Sequence, residues 1–229
     1  MQVLAIYKYA SLWTKNETES ILRLLHRWMP MLFPIELPLS PGKQAIIRGP
    51  GDFRRDELPS YLVSGDSPVF FSFFNRNGTL IEISETTEIG LRPGSAVITF
   101  SGGDDPRTSW QIWPVIASAN EIDAETAVLA DKPLLREMYK AGLVYDAALV
   151  PLGICCVNYW CSAWVERVGR RHIETIRKRT VRCEELDDGS LVFALHDQPC
   201  DSANPLWNRQ RLDLEEEIGL DALRQRHRV

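Results

Sequence analysis

The chain has 229 residues, of which 45% are hydrophobic and 25% are charged, and its formal net charge is -5. This composition is that of a folded globular protein and excludes a mostly disordered or fibrous chain. The acidic balance argues against a dedicated nucleic-acid binder, which would carry a basic surface to displace the counterions of phosphate. The length fits one large domain, so we expect residues 1–229 to form a single α+β unit.

The opening residues, MQVLAIYKYASLW, have no basic leader before their apolar run, and Lys8 interrupts that run. This pattern predicts no signal peptide. A bilayer-spanning helix needs roughly 18 consecutive apolar residues, and the run at 147–164 is broken by Pro151, Gly153 and Asn158. We therefore expect a cytoplasmic protein that does not span a membrane.

The cysteines are five in number and cluster toward one end of the chain: Cys155, Cys156, Cys161, Cys183 and Cys200. An odd, clustered set is a poor basis for a secreted disulfide framework and favours reduced thiols. Cys155, Cys156 and Cys161 with His172 lack the paired ligand spacing of structural zinc. Buried thiols that pack as small hydrophobic groups are the preferred interpretation.

The first elements are a strand, a helix and a proline-rich segment. Val3 to Tyr9 is rich in β-forming residues and predicts a strand. Asn16 and Glu19 resemble a capping box for a helix. The apolar face of that helix would be Ile21, Leu24, Leu25 and Trp28, with Arg23 and His26 facing water. Four prolines, Pro30, Pro34, Pro38 and Pro41, then predict an extended, turn-rich crossing to about Gly51.

Two hairpins are predicted from Asx-Gly turns flanked by β-forming residues. The first joins Val69–Phe74 to Thr79–Ser84 through Asn77-Gly78. The second joins Thr180–Leu186 to Leu191–Leu195 through Asp187-Asp188-Gly189.

The remaining predicted elements are a strand at Ala96–Phe100, helices over Ser109–Ala141 with breaks near Asn120 and Pro133, a buried strand at Ala147–Val150, a helix at Tyr159–Arg167 that presents Trp160 and Trp164, and a last helix with Leu214 and Ile218. The predicted fold class is α+β, with antiparallel hairpins and packed helices. Both halves read as strand, tryptophan-bearing helix and hairpin, so two similar halves are one alternative within this class.

Common catalytic motifs are missing from the sequence. No Gly-x-Ser-x-Gly nucleophile elbow occurs. The segment Pro41-Gly42-Lys43-Gln44 lacks both the upstream glycine and the hydroxyl of a phosphate-binding loop. We therefore expect a protein without enzymatic activity, with no catalytic residues, no metal and no cofactor.

Acidic residues dominate the stretch from Asn77 to Glu137, which has ten acidic residues against Arg92, Arg107, Lys132 and Arg136. The candidate contact residues in or near its acidic core are Glu82, Glu85, Glu88, Asp104, Asp105 and Trp110. Three interpretations are open. The acids form a solvated face, they imitate nucleic-acid phosphates and occupy a partner's basic groove with Trp110 as an anchor, or the carboxylates between Glu82 and Asp105 hold a divalent metal in a hydrolase.

A basic cluster lies further along the chain and comprises Arg167, Arg170, Arg171, Arg177, Lys178, Arg179 and Arg182. The neighbouring acids Glu184, Glu185, Asp187 and Asp188 predict that intramolecular salt bridges neutralise it. We accordingly expect no nucleic-acid partner.

The opening strand that leads into Ser11-Leu12-Trp13, together with the later segment Asn158-Tyr159-Trp160, resembles the immunity protein 52 family of bacterial polymorphic-toxin systems. The resemblance implies a small α+β protein that binds and neutralises a cognate toxin, often a nuclease delivered by type VI secretion. It implies a protein partner and carries over no catalytic residue. The toxin's reaction and the oligomeric state of the free protein stay open at this point.

Overall fold

A computed structural model describes residues 2–8, 17–54, 69–75, 79–85, 94–100, 107–140, 153–197 and 201–226. The strands in these ranges are β1 (Gln2–Lys8), β2 (Ile35–Ser40), β3 (Lys43–Ile47), β4 (Val69–Asn75), β5 (Leu80–Glu85), β6 (Gly94–Phe100), β7 (Thr126–Asp131), β8 (Val157–Trp160), β9 (Arg182–Glu185) and β10 (Leu191–Ala194). The α-helices are α1 (Glu17–Trp28), α2 (Arg107–Ala117), α3 (Lys132–Lys140), α4 (Ser162–Val168), α5 (Arg170–Arg179), α6 (Pro205–Glu217) and α7 (Leu220–Arg226).

All of these strands belong to one antiparallel sheet in the order β3-β2-β4-β5-β6-β1-β7-β8-β10-β9. Strand β1 lies inside the sheet between β6 and β7, and all seven of its residues are buried. The α+β class is therefore confirmed, as is the opening strand over residues 3–8. None of the helices in the described ranges combines the length and the apolar character that a membrane crossing requires.

Both predicted hairpins are present. In the first, β4 pairs with β5 from Val69 opposite Glu85 to Phe74 opposite Leu80, while its turn at 76–78 lies outside the described residues. In the second, β9 pairs with β10, and Gly189 adopts a φ of 80° in the connecting turn. This left-handed conformation is readily available to glycine, which explains why an Asp-Gly pair specifies the turn.

Helix α1 buries Ile21, Leu24 and Leu25 and leaves Arg23 exposed, as its periodicity predicts. The prediction that Trp28 lies on the apolar face is wrong, because its side chain is 39% exposed. Met29 lies four residues after Leu25, just beyond the helix, and its side chain is buried. It fills the place on the apolar face that was predicted for Trp28. The apolar stripe thus follows the i+4 step at this end of the helix.

The proline-rich segment is extended and rich in turns, but it also contributes a hairpin that the prolines concealed. A short 3-10 turn at Pro30–Leu32 precedes β2, and β2 pairs with β3. Pro38 lies opposite Gln44, next to a register shift in the ladder. Proline is tolerated in a sheet at such irregularities and near edges, so its presence does not exclude a strand.

The sequence predicts helices where the structure has two interior strands, β7 and β8, so this prediction is wrong for both segments. Strand β7 falls within the predicted helical stretch Ser109–Ala141, and β8 replaces the first part of the predicted helix Tyr159–Arg167. Every residue of both strands is buried, so neither shows the polar alternation that identifies a strand. Helices α2, α3 and α4 occupy the rest of those predicted stretches.

Pro133 begins a helix rather than interrupting one. It follows Lys132 in the first turn of α3, where a missing N–H costs nothing. The Asp131 carboxylate accepts a hydrogen bond from the Leu134 N–H at 3.0 Å and bonds from the Ser202 N–H and hydroxyl, both at 2.7 Å. This side chain therefore caps α3 and ties it to the segment before α6.

The predicted helix with Leu214 is confirmed as α6, but it ends just before Ile218 and is not the last, because α7 follows it. The Asn204 side chain accepts hydrogen bonds from the N–H groups of Leu206 and Trp207 and so caps the helix start. Leu214 and Ile218 are fully buried, as their spacing predicts.

The order strand, helix, hairpin recurs in both halves, but the sheet does not repeat it. Strand β8 is hydrogen-bonded directly to β10 of the following hairpin. Strand β1, in contrast, lies between β6 and β7 and contacts neither β4 nor β5 in the ladder. The strand predicted at Ala147–Val150 lies outside the described residues.

The cysteines differ in part from the reduced set that their number suggested. Cys155, Cys161 and Cys183 are free, whereas Cys156 is disulfide-bonded. Burial raises the pKa of Cys155 to about 12 and also raises the pKa values of Cys161 and Cys183. The interpretation of buried thiols as packing groups holds for Cys155.

Thiol titration of protein purified without reductant should therefore separate these groups. In the native state we expect slow reaction at pH 8, because a raised pKa keeps the thiols protonated and the thiolate is the reactive form. After unfolding without reductant, three of the five thiols should react, and prior reduction should release all five. Five reactive thiols without reduction would contradict the disulfide.

Candidate partner-binding surface

One face of the sheet is open to solvent at the β3 end. The backbone register places Ile46, Glu36, Phe74, Leu80 and Thr99 side by side across β3, β2, β4, β5 and β6. Ile46 is 45% exposed and Phe74 is 43% exposed, while Glu36, Leu80 and Thr99 are half-buried. This row is an apolar stripe interrupted by one carboxylate.

The opposite face of the same strands belongs to the core. Its buried residues alternate with the exposed ones and are Ile35, Leu37, Ile47, Phe73, Ile81 and Ile83. Helix α1 packs against β5, and α2 packs beside α1. An antiparallel sheet that is covered on one face presents its other face to water, which is the arrangement at this end.

We call the described positions of this surface the open sheet face: Glu36, Pro38, Gln44, Ile46, Ser72, Phe74, Leu80, Glu82 and Thr99. Glu82 is exposed and lies opposite Ser72 in the ladder. It follows Leu80 by two residues along β5 and so lies on the same face as the row of Phe74 and Leu80. Neither Glu36 nor Glu82 forms an ion pair or side-chain hydrogen bond within the described part of the chain. The described positions of this face include two carboxylates and neither lysine nor arginine, so together they carry a negative charge.

Only one of the predicted contact residues has a described side chain on this face, and it is Glu82. Glu85 ends β5 opposite Val69, and Trp110 lies in α2. Glu88, Asp104 and Asp105 lie outside the described residues. The structure thus places one predicted acid beside apolar residues that the sequence analysis did not select.

Ile46 and Phe74 were missed for a physical reason. The run Val69–Phe74 is apolar on both faces, and β3 was hidden in the proline-rich segment. Phe74 could have been found through the predicted hairpin. It pairs with Leu80, and the alternation along β5 puts Leu80 on the same face as Glu82. No group of three or more His, Cys, Asp or Glu side chains that could hold a metal occurs among the residues that the structure describes.

The basic cluster is neutralised by neighbouring acids at three of its arginines. The Arg177 guanidinium lies 2.7 Å from the Glu174 carboxylate and 2.6 Å from that of Glu185. Arg179 pairs with Glu217 at 3.1 Å and Arg182 with Glu184 at 3.5 Å. The prediction of a salt-bridged hairpin is confirmed for Arg177 and Arg182, although such exposed pairs contribute only about 0.2–1 kcal/mol each.

The Arg182 side chain also contacts an aromatic ring. Its guanidinium carbon lies 3.9 Å from the ring centroid of Trp113 in α2, which is a cation–π geometry. The contact joins edge strand β9 to α2, and it gives Trp113 a structural role.

A groove of about 590 Å³ lies between α4, α5 and the β9–β10 hairpin. Its charged lining residues are Glu166, Arg170, Glu174, Arg177, Glu185 and Asp188. Burial alone would raise the pKa of Asp188, but hydrogen bonds from Ser190 and Asn120 outweigh it and leave the pKa below its ordinary value. Most of these charges are thus satisfied by other residues of the protein, and the Arg177–Glu185 ion pair joins α5 to the β9–β10 hairpin.

Comparisons with known proteins give a fold likeness. No protein-family model matches the chain, and no curated protein sequence matches it. The structure is similar to that of the Pseudomonas aeruginosa T6SS protein PA0821, with a TM-score of 0.53 and 12% sequence identity. The similarity covers 93% of this chain and 72% of that chain. At this identity the likeness shows a shared fold.

Proposed function

We propose that the protein is an immunity protein of the immunity protein 52 type, which binds and neutralises a cognate antibacterial toxin by direct stoichiometric contact. The observation that carries the proposal is the open sheet face, where exposed Ile46 and Phe74 lie beside the carboxylates of Glu36 and Glu82, which have no ion-pair partner among the described residues. Apolar residues rimmed by charge are the usual make-up of a protein-binding patch.

The toxin that best complements this face is a nuclease effector of type VI secretion. A nuclease binds phosphate through a basic groove, and the negative charge of Glu36 and Glu82 would attract such a groove and speed association. The fold likeness to a T6SS protein supports the same setting. The carboxylates stand in for phosphates electrostatically, while Ile46 and Phe74 supply the apolar contact.

The compartment follows from the toxin's site of action. A nuclease must be stopped in the cytoplasm, and we place the protein there. The Cys156 disulfide is the observation that opposes this placement, since disulfides persist mainly in oxidising compartments such as the periplasm. Fractionation of the producing bacterium decides the question, because recovery in the periplasmic fraction would overturn the cytoplasmic assignment.

Co-expression with the toxin encoded beside the gene tests the proposed function. We expect growth to be restored and a 1:1 complex to co-purify and elute as one species in size-exclusion chromatography. A toxin that still kills and a mixture that elutes as two separate proteins would refute the proposal.

A further inference from the structure

We propose that the toxin docks by adding an extended segment to the free edge of β3, so that the sheet of this protein continues into its partner. The inference rests on the proposed function and specifies how the partner is held. Main-chain hydrogen bonds along a sheet edge give affinity, and side chains on alternate positions give specificity.

No described strand pairs with the outer edge of β3. Strand β3 is the first strand of the sheet, and its ladder partner is β2. No hydrogen bond joins Lys43–Ile47 to a group outside that ladder among the described residues. As far as the described residues show, a row of N–H and C=O groups on the outer side of β3 is therefore left for another chain.

The two ends of the sheet differ in how they guard against such pairing. Edge strand β9 has the sequence Arg-Cys-Glu-Glu, and its charged residues form ion pairs with one another and with α5. Strand β3 has the sequence Lys-Gln-Ala-Ile-Ile, with a single charge at its first residue. Charged side chains discourage edge-to-edge pairing, so β9 is protected and β3 is receptive.

The size of the open sheet face also calls for a contact beyond it. Five strands spaced by about 4.8 Å span roughly 19 Å, and five residues of strand span roughly 17 Å, so the planar footprint is on the order of 300 Å². A stable interface uses about 800 Å² per partner. The β3 edge adjoins this face at Ile46, and a partner that pairs with the edge reaches both surfaces at once.

The chemistry of the face specifies the segment. A strand added to β3 would lie about 5 Å from Ile46 and about 10 Å from Glu36 in β2. An apolar residue of the segment fits beside Ile46, and the next residue on the same side, if arginine or lysine, reaches Glu36. A second copy of this chain fits less well, because it brings the same two carboxylates and a net charge of -5.

Two proline variants, Gln44→Pro and Ala45→Pro, test the proposal in the full chain. Successive residues of an edge strand direct their N–H groups alternately to the neighbouring strand and to the free edge. One variant therefore breaks the ladder with β2 and lowers the melting temperature, and the other keeps the melting temperature but removes an outward donor. We expect the variant that keeps the wild-type melting temperature to bind the toxin at least about tenfold more weakly than the wild type.

Amide hydrogen exchange of the wild-type protein gives a second readout. The outward amides of residues 43–47 should exchange quickly in the free protein and become protected in the complex. If the wild type binds the toxin while its β3 amides stay unprotected and the stable proline variant binds equally well, strand addition is refuted and the proposed function survives. Concentration-dependent dimers of the chain alone that vanish in the same variant would also overturn the proposal, whereas a wild type that binds no toxin refutes the proposed function itself.

Discussion

Replacing Phe74 by alanine should weaken toxin binding by about 2 kcal/mol or more, which is roughly 30-fold in Kd. Large aromatic side chains near the centre of an interface make the greatest contributions when truncated. Phe74 is 43% exposed in the free protein, so the same change should lower the free energy of unfolding by only about 1–1.5 kcal/mol, well below the loss for a fully buried aromatic side chain. Titration calorimetry and urea unfolding measure the two quantities.

Leu206→Ala is the matched control for this prediction. Leu206 is 74% exposed in α6, outside the open sheet face, so its truncation removes a similar apolar surface from a site that we expect the toxin not to touch. Wild-type affinity is expected for this variant. Normal binding by Phe74→Ala together with weak binding by Leu206→Ala would move the contact surface to the α6 side.

Replacing Trp160 by alanine should lower the free energy of unfolding by about 3–5 kcal/mol, as truncation of a large core aromatic generally does. Trp160 is 0% exposed, and its ring meets Phe193 edge-on with centroids 4.8 Å apart. The neighbouring Asn158 side chain bonds both the N–H and the C=O of Cys155 at 2.8 Å, so this part of β8 has little room to relax. Total stabilities of about 5–15 kcal/mol make the loss severe.

Trp28→Ala provides the comparison, because the same atoms are removed from a side chain that is 39% exposed. Urea unfolding should show a loss for Trp28→Ala that is well under half of that for Trp160→Ala. Equal losses would mean that the burial of Trp160, and with it the position of β8 within the sheet, is wrong.

The fold was predictable from sequence wherever a local signal matched the tertiary environment. The β4–β5 and β9–β10 hairpins follow from their turn residues, and α1 follows from its apolar spacing. Strands β7 and β8 carry no such signal, since both of their faces are buried and their composition suits a helix equally well. These segments are strands because they pair with neighbouring strands in the sheet. That pairing joins residues far apart in the chain and cannot be predicted from the local sequence.

The proposed binding surface was predictable from sequence only in its charge. The acidic stretch led to Glu82, which does lie on the open sheet face. Ile46 could not be selected, and Phe74 could be selected only through its hairpin with the strand of Glu82, because a phenylalanine or isoleucine in a strand is buried or exposed according to which face α1 covers. The exposure of these two side chains is a property of the packed sheet and α1 together.

Photocrosslinking shows whether the open sheet face contacts the toxin. A photoreactive phenylalanine analogue at position 74 replaces a side chain of similar shape, and the same analogue at position 206 serves as the control. We expect irradiation of the complex to join the toxin to the chain through position 74 and not through position 206. A crosslink from position 206 alone would contradict this expectation.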